Sequence, residues 1–138
     1  MVKQILLFGA GKSATVLIDY LLQESTAYNW KIIVADANKS VAEQKINGHT
    51  NGQPEGIDIN DETSRKKLIQ LADIVISMMP PSLHILVAKD CITYSKHLLT
   101  ASYADQQIYD LEEMVKDRKI LFLCEMGLVS SLMSIPSG

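Results

Sequence analysis

Gly9, Gly11 and Ala14 stand at the spacing G-x-G-x-x-G/A within Ile5-Leu6-Leu7-Phe8-Gly9-Ala10-Gly11-Lys12-Ser13-Ala14. The chemistry of that spacing is the holding of a diphosphate. Gly9 permits a tight turn out of an apolar strand. Gly11, with no Cβ, lets the backbone approach the anion. Ala14 lets the following helix pack close to the strand. Lys12 and Ser13 complete the turn, and the free N–H groups at the positive end of the helix face the phosphates.

Further residues complete a dinucleotide site. Asp36 follows a second apolar run, Lys31–Ala35. A carboxylate there accepts from both ribose hydroxyls of an adenosine and repels a 2′-phosphate. No arginine follows it, and Lys39 is the nearby cation, so NAD is expected ahead of NADP. Asp also begins turns after strands, which is its plain structural use. Asp58-Ile59 is expected to end the third strand beside the adenine, with the carboxylate or the Ile59 backbone at the base; a solvated loop is the alternative. Met79 and Pro80 end the fourth strand and are expected to wall the crevice, although methionine also fills cores. Thr100-Ala101-Ser102-Tyr103 ends the fifth strand. Hydroxyls of Thr100, Ser102 and Tyr103 can reach the nicotinamide ribose, the carboxamide or a substrate carboxylate, unless Tyr103 is a packed aromatic. Glu125 either faces the crevice or solvates the sheet edge. His49, His84 and His97 have no partners at recognisable spacing and are expected to be structural or exposed. No residue is assigned as catalytic, and no Cys or His cluster has metal-ligand spacing.

The elements that must position these residues alternate between strand and helix patterns. Strands are expected at Lys3–Phe8, Lys31–Ala35, Gly56–Ile59, Asp73–Ser77, His97–Thr100 and Lys119–Cys124. Helices are expected at Ser13–Glu24, with Val16, Leu17, Tyr20 and Leu21 on one face, and at Ser40–Ile46. A third is expected at Asp61–Leu71, N-capped by Asp61, with Leu68, Ile69, Leu71 and Ala72 inward. Two more run from Ser82 to Tyr94 and from Asp105 to Lys116. Gly48, Asn51-Gly52 and Pro54 mark Asn47–Glu55 as a loop. Continuous apolar strands joined by helices imply a doubly wound parallel α/β sheet of the Rossmann type, about six strands in the order 3-2-1-4-5-6. The pattern fades after residue 128, so 1–128 is expected to be the dinucleotide-binding domain and 129–138 a tail or added strand.

The chain has 138 residues, enough for one domain with a core; its 47% hydrophobic content argues against disorder. A net charge of −3 with no basic block disfavours nucleic acid as a partner. No apolar run approaches the ~18 residues that span a bilayer, so no membrane partner is expected. Met1-Val2-Lys3-Gln4 leads directly into a strand without the layout of a signal peptide, and Cys91 and Cys124 are expected to be free buried thiols. Together these predict a cytoplasmic location.

Four segments carry a family resemblance. Gly9-Ala10-Gly11, Asp73-Ile74-Val75-Ile76-Ser77-Met78-Met79-Pro80, His97-Leu98-Leu99-Thr100-Ala101-Ser102-Tyr103 and Glu125-Met126-Gly127-Leu128 resemble the amino-terminal domain of glutamate-forming saccharopine dehydrogenase, or saccharopine reductase. The resemblance covers about residues 3–128, and its T-A-S-Y and E-M-G-L elements are more specific than the glycine turn. It implies an NAD(P)-dependent oxidoreductase acting on the carbon–nitrogen bond of saccharopine in lysine metabolism. It also implies that Gly11 to Ala14 hold the pyrophosphate, Asp36 the ribose, Asp58-Ile59 the adenine side and Thr100-Ala101 the nicotinamide side, with Ala101-Ser102 bordering substrate.

Two departures qualify it. Val129-Ser130-Ser131 replaces the family's D-P-G, removing an acidic residue expected at cofactor and substrate, and these 138 residues are expected not to include the family's substrate domain. The expectation is therefore a cofactor domain that binds NAD(H) but does not turn over saccharopine alone. An open strand edge and uncovered apolar surface predict a homodimer, with Val129–Ile135 pairing as a strand within or between chains. A non-catalytic dinucleotide-binding module or redox sensor is the second reading. A different Rossmann enzyme, such as a methyltransferase or epimerase, is the third; the methyltransferase is disfavoured because the glycine turn, Asp36 and T-A-S-Y fit a dehydrogenase better.

Overall fold

The computed structural model describes residues 2–11, 14–79, 81–100, 122–124 and 127–128. Lys3–Phe8 forms β1, Thr15–Tyr28 α1, Trp30–Asp36 β2, Lys39–Ile46 α2 and Gly52–Gly56 β3. Glu62–Leu71 forms α3, Ile74–Ser77 β4, Pro81–Thr93 α4, His97–Thr100 β5, Phe122–Cys124 β6 and Gly127–Leu128 β7. The strand order is β3-β2-β1-β4-β5-β6-β7. Strands β1 to β5 are parallel, as the buried apolar runs require. β6 pairs in parallel with β5 through Leu98–Phe122 and Leu99–Leu123, and β7 adds an antiparallel pairing to β6.

Side chains alternate across the central strands and fill two cores. Leu6, Phe8, Ile33, Ala35, Val75 and Leu98 pack against α3 and α4 through Ile69, Val87, Ala88 and Cys91. Ile5, Leu7, Ile32, Val34 and Ile76 pack against α1 and α2 through Ala14, Ile18, Leu21, Ala42 and Ile46. Helix ends follow local chemistry. Asn38 caps α2 by accepting from Ser40 N, and Asp61 caps α3 by accepting from Ser64 N, as expected for Asp61. Asn29 and Asn47 close α1 and α2 in the left-handed conformation.

Three expectations are corrected. The third strand is Gly52–Gly56, not Gly56–Ile59, and it occupies part of the segment read as a loop. Its sequence, Gly-Gln-Pro-Glu-Gly, lacks strand propensity because it is an edge strand paired only to β2. There Pro54 can sit with no N–H to offer, and it discourages further pairing. The buried face of α1 is Ile18, Leu21, Leu22 and Ser25, with Leu17 at its margin, whereas Val16 is 80% and Tyr20 55% exposed. The helix is apolar on several sides, so periodicity selected a face rotated from the true one. Leu71 is 58% exposed, while Ile69 and Ala72 are buried as expected. Leu71 closes α3, and its position lies off the stripe set by Arg65, Ile69 and Ala72. The expected helix at 105–116, Glu125 and the 129–138 segment lie outside the described residues.

Candidate functional site

Strand register places one row of residues along the carboxyl edge of the sheet. Phe8 is opposite Ala35 on one side and Ser77 on the other, and Ser77 is opposite Thr100. The chain runs outward from β1 to β3 in one direction and from β4 to β5 in the other. The crevice where that order reverses, between the ends of β1 and β4, is where open α/β sheets take ligands.

At the end of β1 the backbone turns sharply. Gly9 has φ +95°, its N–H donates to Ala35 O at 2.8 Å, and Met78 N–H donates to Phe8 O at 2.8 Å. A Cβ on Gly9 would lie 3.2 Å from Met79 Sδ and 3.3 Å from the Met78 carbonyl carbon and oxygen. Gly9 is thus required by the fold itself. Gly11 differs: a Cβ there would meet nothing within 4 Å among the described residues. The described residues give no packing reason for glycine at 11; a ligand approaching that backbone supplies one.

Helix α1 begins beside this space, with Ala14 N–H donating to Gly11 O at 3.0 Å. Ala14 is fully buried against the sheet. Unlike α2 and α3, α1 has no side-chain cap among the described residues, and, like α2, it has no acidic residue in its first turn. The first-turn N–H groups of a helix have no intrahelical acceptors, and an anion satisfies them. Lys45 Nζ donates to Thr15 Oγ1 at 2.5 Å, bringing a cation to the first turn of α1. Sequence reading did not single out Lys45, which lies thirty residues from its partner.

Asp36 ends β2 with its carboxylate held from two sides. Oδ1 accepts from Ala10 N–H and Oδ2 from Asn38 N–H, each at 2.9 Å. The acid is therefore tied to the glycine turn, and its remaining lone pairs are available to a ribose. A cavity of about 230 Å³ opens next to it, lined by Phe8, Ala35, Asp36, Ala37, Ile57, Asp58, Ile59, Asn60, Met79 and Leu83. It brings together four expected residues: Asp36, Asp58, Ile59 and Met79.

Asp58 and Ile59 lie beyond β3 rather than at its end. Asp58 Oδ1 accepts from Asn60 N–H at 2.9 Å, and its carbonyl accepts from Asp61 N–H at 2.8 Å, so the segment is a tight turn into α3. Ile59 is 7% exposed. Met79 both lines the cavity and packs on the core, combining the two uses expected of it. Thr100 lies outside this cavity, two strands from β1 at the opposite side of the switch point. Lys12, Ser13, Pro80, Ala101, Ser102 and Tyr103 lie outside the described residues. Ile57, Asn60 and Leu83 were missed in the sequence. The Asp58-x-Asn60 pattern is the local signal for the turn, whereas Leu83 carries none. Of the histidines, His84 is buried and His49 Nδ1 accepts from Asn51 N–H at 3.1 Å.

A parallel sheet with a ligand crevice at its switch point, a glycine turn opening an uncapped helix and an acid after β2 define a dinucleotide-binding Rossmann domain. The family model described as the saccharopine dehydrogenase NADP-binding domain matches residues 5–122, and the chain belongs to that family. It is 32% identical to an alpha-aminoadipic semialdehyde synthase of Arabidopsis thaliana, over 90% of this chain and 13% of that protein. It is 33% identical to the NADP(+), L-glutamate-forming saccharopine dehydrogenase of Schizosaccharomyces pombe, over 90% of this chain and 27% of that protein. The structure of apo saccharopine dehydrogenase (L-Glu forming) from Saccharomyces cerevisiae superposes with a TM-score of 0.81 at 26% identity, covering 91% of this chain and 27% of that one. The chain spans about an eighth to a quarter of the length of these relatives. The domain binds NAD(P), and the family resemblance read from the four sequence segments holds.

Proposed function

We propose that this domain is the cofactor module of an oxidoreductase acting on saccharopine or a closely related amino acid, and that it favours NAD(H) over NADP(H). The open space at Gly11 before an uncapped helix carries the dinucleotide placement. The diphosphate lies over Gly9, Gly11, Lys12, Ser13 and Ala14, the adenosine ribose on Asp36 and the adenine in the cavity by Asp58, Ile59 and Met79. Pro80 continues that wall. Thr100 and Ala101 take the nicotinamide side, with Ser102 and Tyr103 toward the substrate. The bound cofactor supplies the hydride acceptor or donor; this chain's residues bind and orient it.

The preference runs against the NADP in the family's description, and Asp36 supports it. Two backbone N–H groups fix the carboxylate where a 2′-phosphate would have to lie. Lys39, at the start of α2, is the nearest cation along the chain. Two like charges a few ångströms apart cost on the order of 1–4 kcal/mol near a protein surface. Calorimetric titration with NADH and NADPH tests the reading: NADH is expected to bind at least tenfold more tightly, and equal affinity would remove that role from Asp36.

The proposal extends to residues 1–128 as the binding domain, 129–138 as an appended segment, a homodimer through the uncovered edge, and a cytoplasmic location consistent with the free thiol of Cys91. Saccharopine turnover belongs to the assembled protein, since hydride transfer needs the substrate anchored about 3–3.5 Å from the nicotinamide.

A further inference from the structure

Arg65 and Asp90 form a buried ion pair between α3 and α4. Arg65 Nε lies 2.5 Å from Asp90 Oδ2, with side chains 8% and 6% exposed. The same guanidinium donates through Nη1 to the Ile59 carbonyl at 2.8 Å. One side chain therefore joins α3, α4 and the β3–α3 turn.

Stability alone does not account for such a group. Desolvation of two charges offsets most of their attraction, and apolar pairs of similar volume often serve as well. An apolar pair, however, cannot fix a carbonyl to a helix. Ile59 lines the adenine-side cavity from the turn, and Leu83 lines it from α4. Asp90 lies seven residues beyond Leu83, two turns along the same side of that helix. The guanidinium thus ties the turn that carries one wall to the helix that carries the other. A flat ring needs about 7 Å between facing walls, and a gap of 0.5–1 Å already forfeits roughly a quarter to a half of each contact.

We propose that Arg65, held by Asp90, is a positioning residue that sets the separation between the Ile59 and Leu83 walls so that they grip the adenine base. The inference rests on the adenosine placement given above. It assigns to a buried ion pair outside the glycine turn a part in holding the cofactor by its base.

The test compares NADH with its analogue lacking the adenine base, which keeps the diphosphate and both riboses. Affinities are measured calorimetrically, and folding is followed by thermal melting. The wild-type chain is expected to prefer NADH. The double variant Arg65→Met/Asp90→Leu is expected to stay folded, lose roughly tenfold in NADH affinity and lose most of the preference. Arg65→Lys retains a charge for Asp90 but cannot also reach the Ile59 carbonyl in the same fork; it covers the case in which the double variant does not fold, and the preference is again expected to narrow. A folded variant of either kind with wild-type affinity and preference would overturn the proposal. Gly11→Val separates this outcome from failure of the site reading: it should weaken the two ligands equally. Absence of NADH binding by the wild type would overturn the site placement, and the role of Arg65 with it.

Discussion

Gly9 and Gly11 are two residues apart and should fail in opposite ways. Gly9 has φ +95°, outside the range an L side chain adopts without strain. A methyl group there would also press on Met79 Sδ at 3.2 Å and on the Met78 carbonyl at 3.3 Å. The sulfur can swing aside, but the carbonyl belongs to the residue whose N–H bonds Phe8 O. Backbone strain of roughly 1–2 kcal/mol and overpacking of roughly 1–3 kcal/mol give Gly9→Ala a cost of about 2–5 kcal/mol. For a chain of this size that lowers Tm by roughly 6–20 °C. Gly11→Val meets no atom within 4 Å at its Cβ among the described residues. Its stability should change by no more than about 0.5 kcal/mol, and its Tm by about 2 °C. Its branched side chain instead occupies the diphosphate position, and NADH affinity should fall by roughly tenfold or more as charge-assisted bonds to the turn are lost. Thermal denaturation followed by circular dichroism, paired with calorimetric titration, reads the two effects separately. A folded Gly11→Val that binds NADH as the wild type does would refute the assignment of the turn to phosphate. A Gly9→Ala as stable as the wild type would refute the account of the strand end.

Asp36→Ala should narrow the gap between NADH and NADPH affinities and also destabilise the fold by roughly 1–3 kcal/mol, because it strips acceptors from Ala10 and Asn38 N–H; calorimetry and melting report the two separately. Asp61→Ala removes the α3 cap and should cost about 1 kcal/mol in denaturant unfolding. Burial pushes the Cys91 thiol well above its ordinary pKa, so alkylation at pH 8 followed by site-resolved mass spectrometry should leave Cys91 unmodified until the protein unfolds. The purified chain should produce no measurable NADH from saccharopine and NAD at mildly alkaline pH, and robust turnover would show that it carries a substrate site of its own.

The central sheet was legible because buried parallel strands must be continuously apolar. Ile74–Ser77 falls within the expected fourth strand, and the expected bounds of His97–Thr100 match those observed. The glycine turn and Asp36 were legible because each answers a steric or electrostatic demand at one point in the chain. β3 was not, since an edge strand can be polar and accommodate proline without losing its partner. The orientation of α1 was obscured by Val16 and Tyr20, apolar residues that face outward. Asp58 and Ile59 line the cavity beside Asp36 but were assigned to the wrong element, because misplacing β3 moved its end by three residues. Leu83, Arg65 and Asp90 left no local signal: their part depends on α3 and α4 packing side by side, which no spacing along the chain encodes.

Amide chemical shifts in a ¹⁵N-labelled chain titrated with NADH test the central claim most directly. Saturable shifts should concentrate at Gly9, Ala10, Gly11, Asp36 and Asp58–Asn60, with little change at Lys3, Asp73 and His97 on the opposite edge of the sheet. Absence of saturable shifts, or shifts confined to that opposite edge, would contradict dinucleotide binding at the β1–β4 switch point.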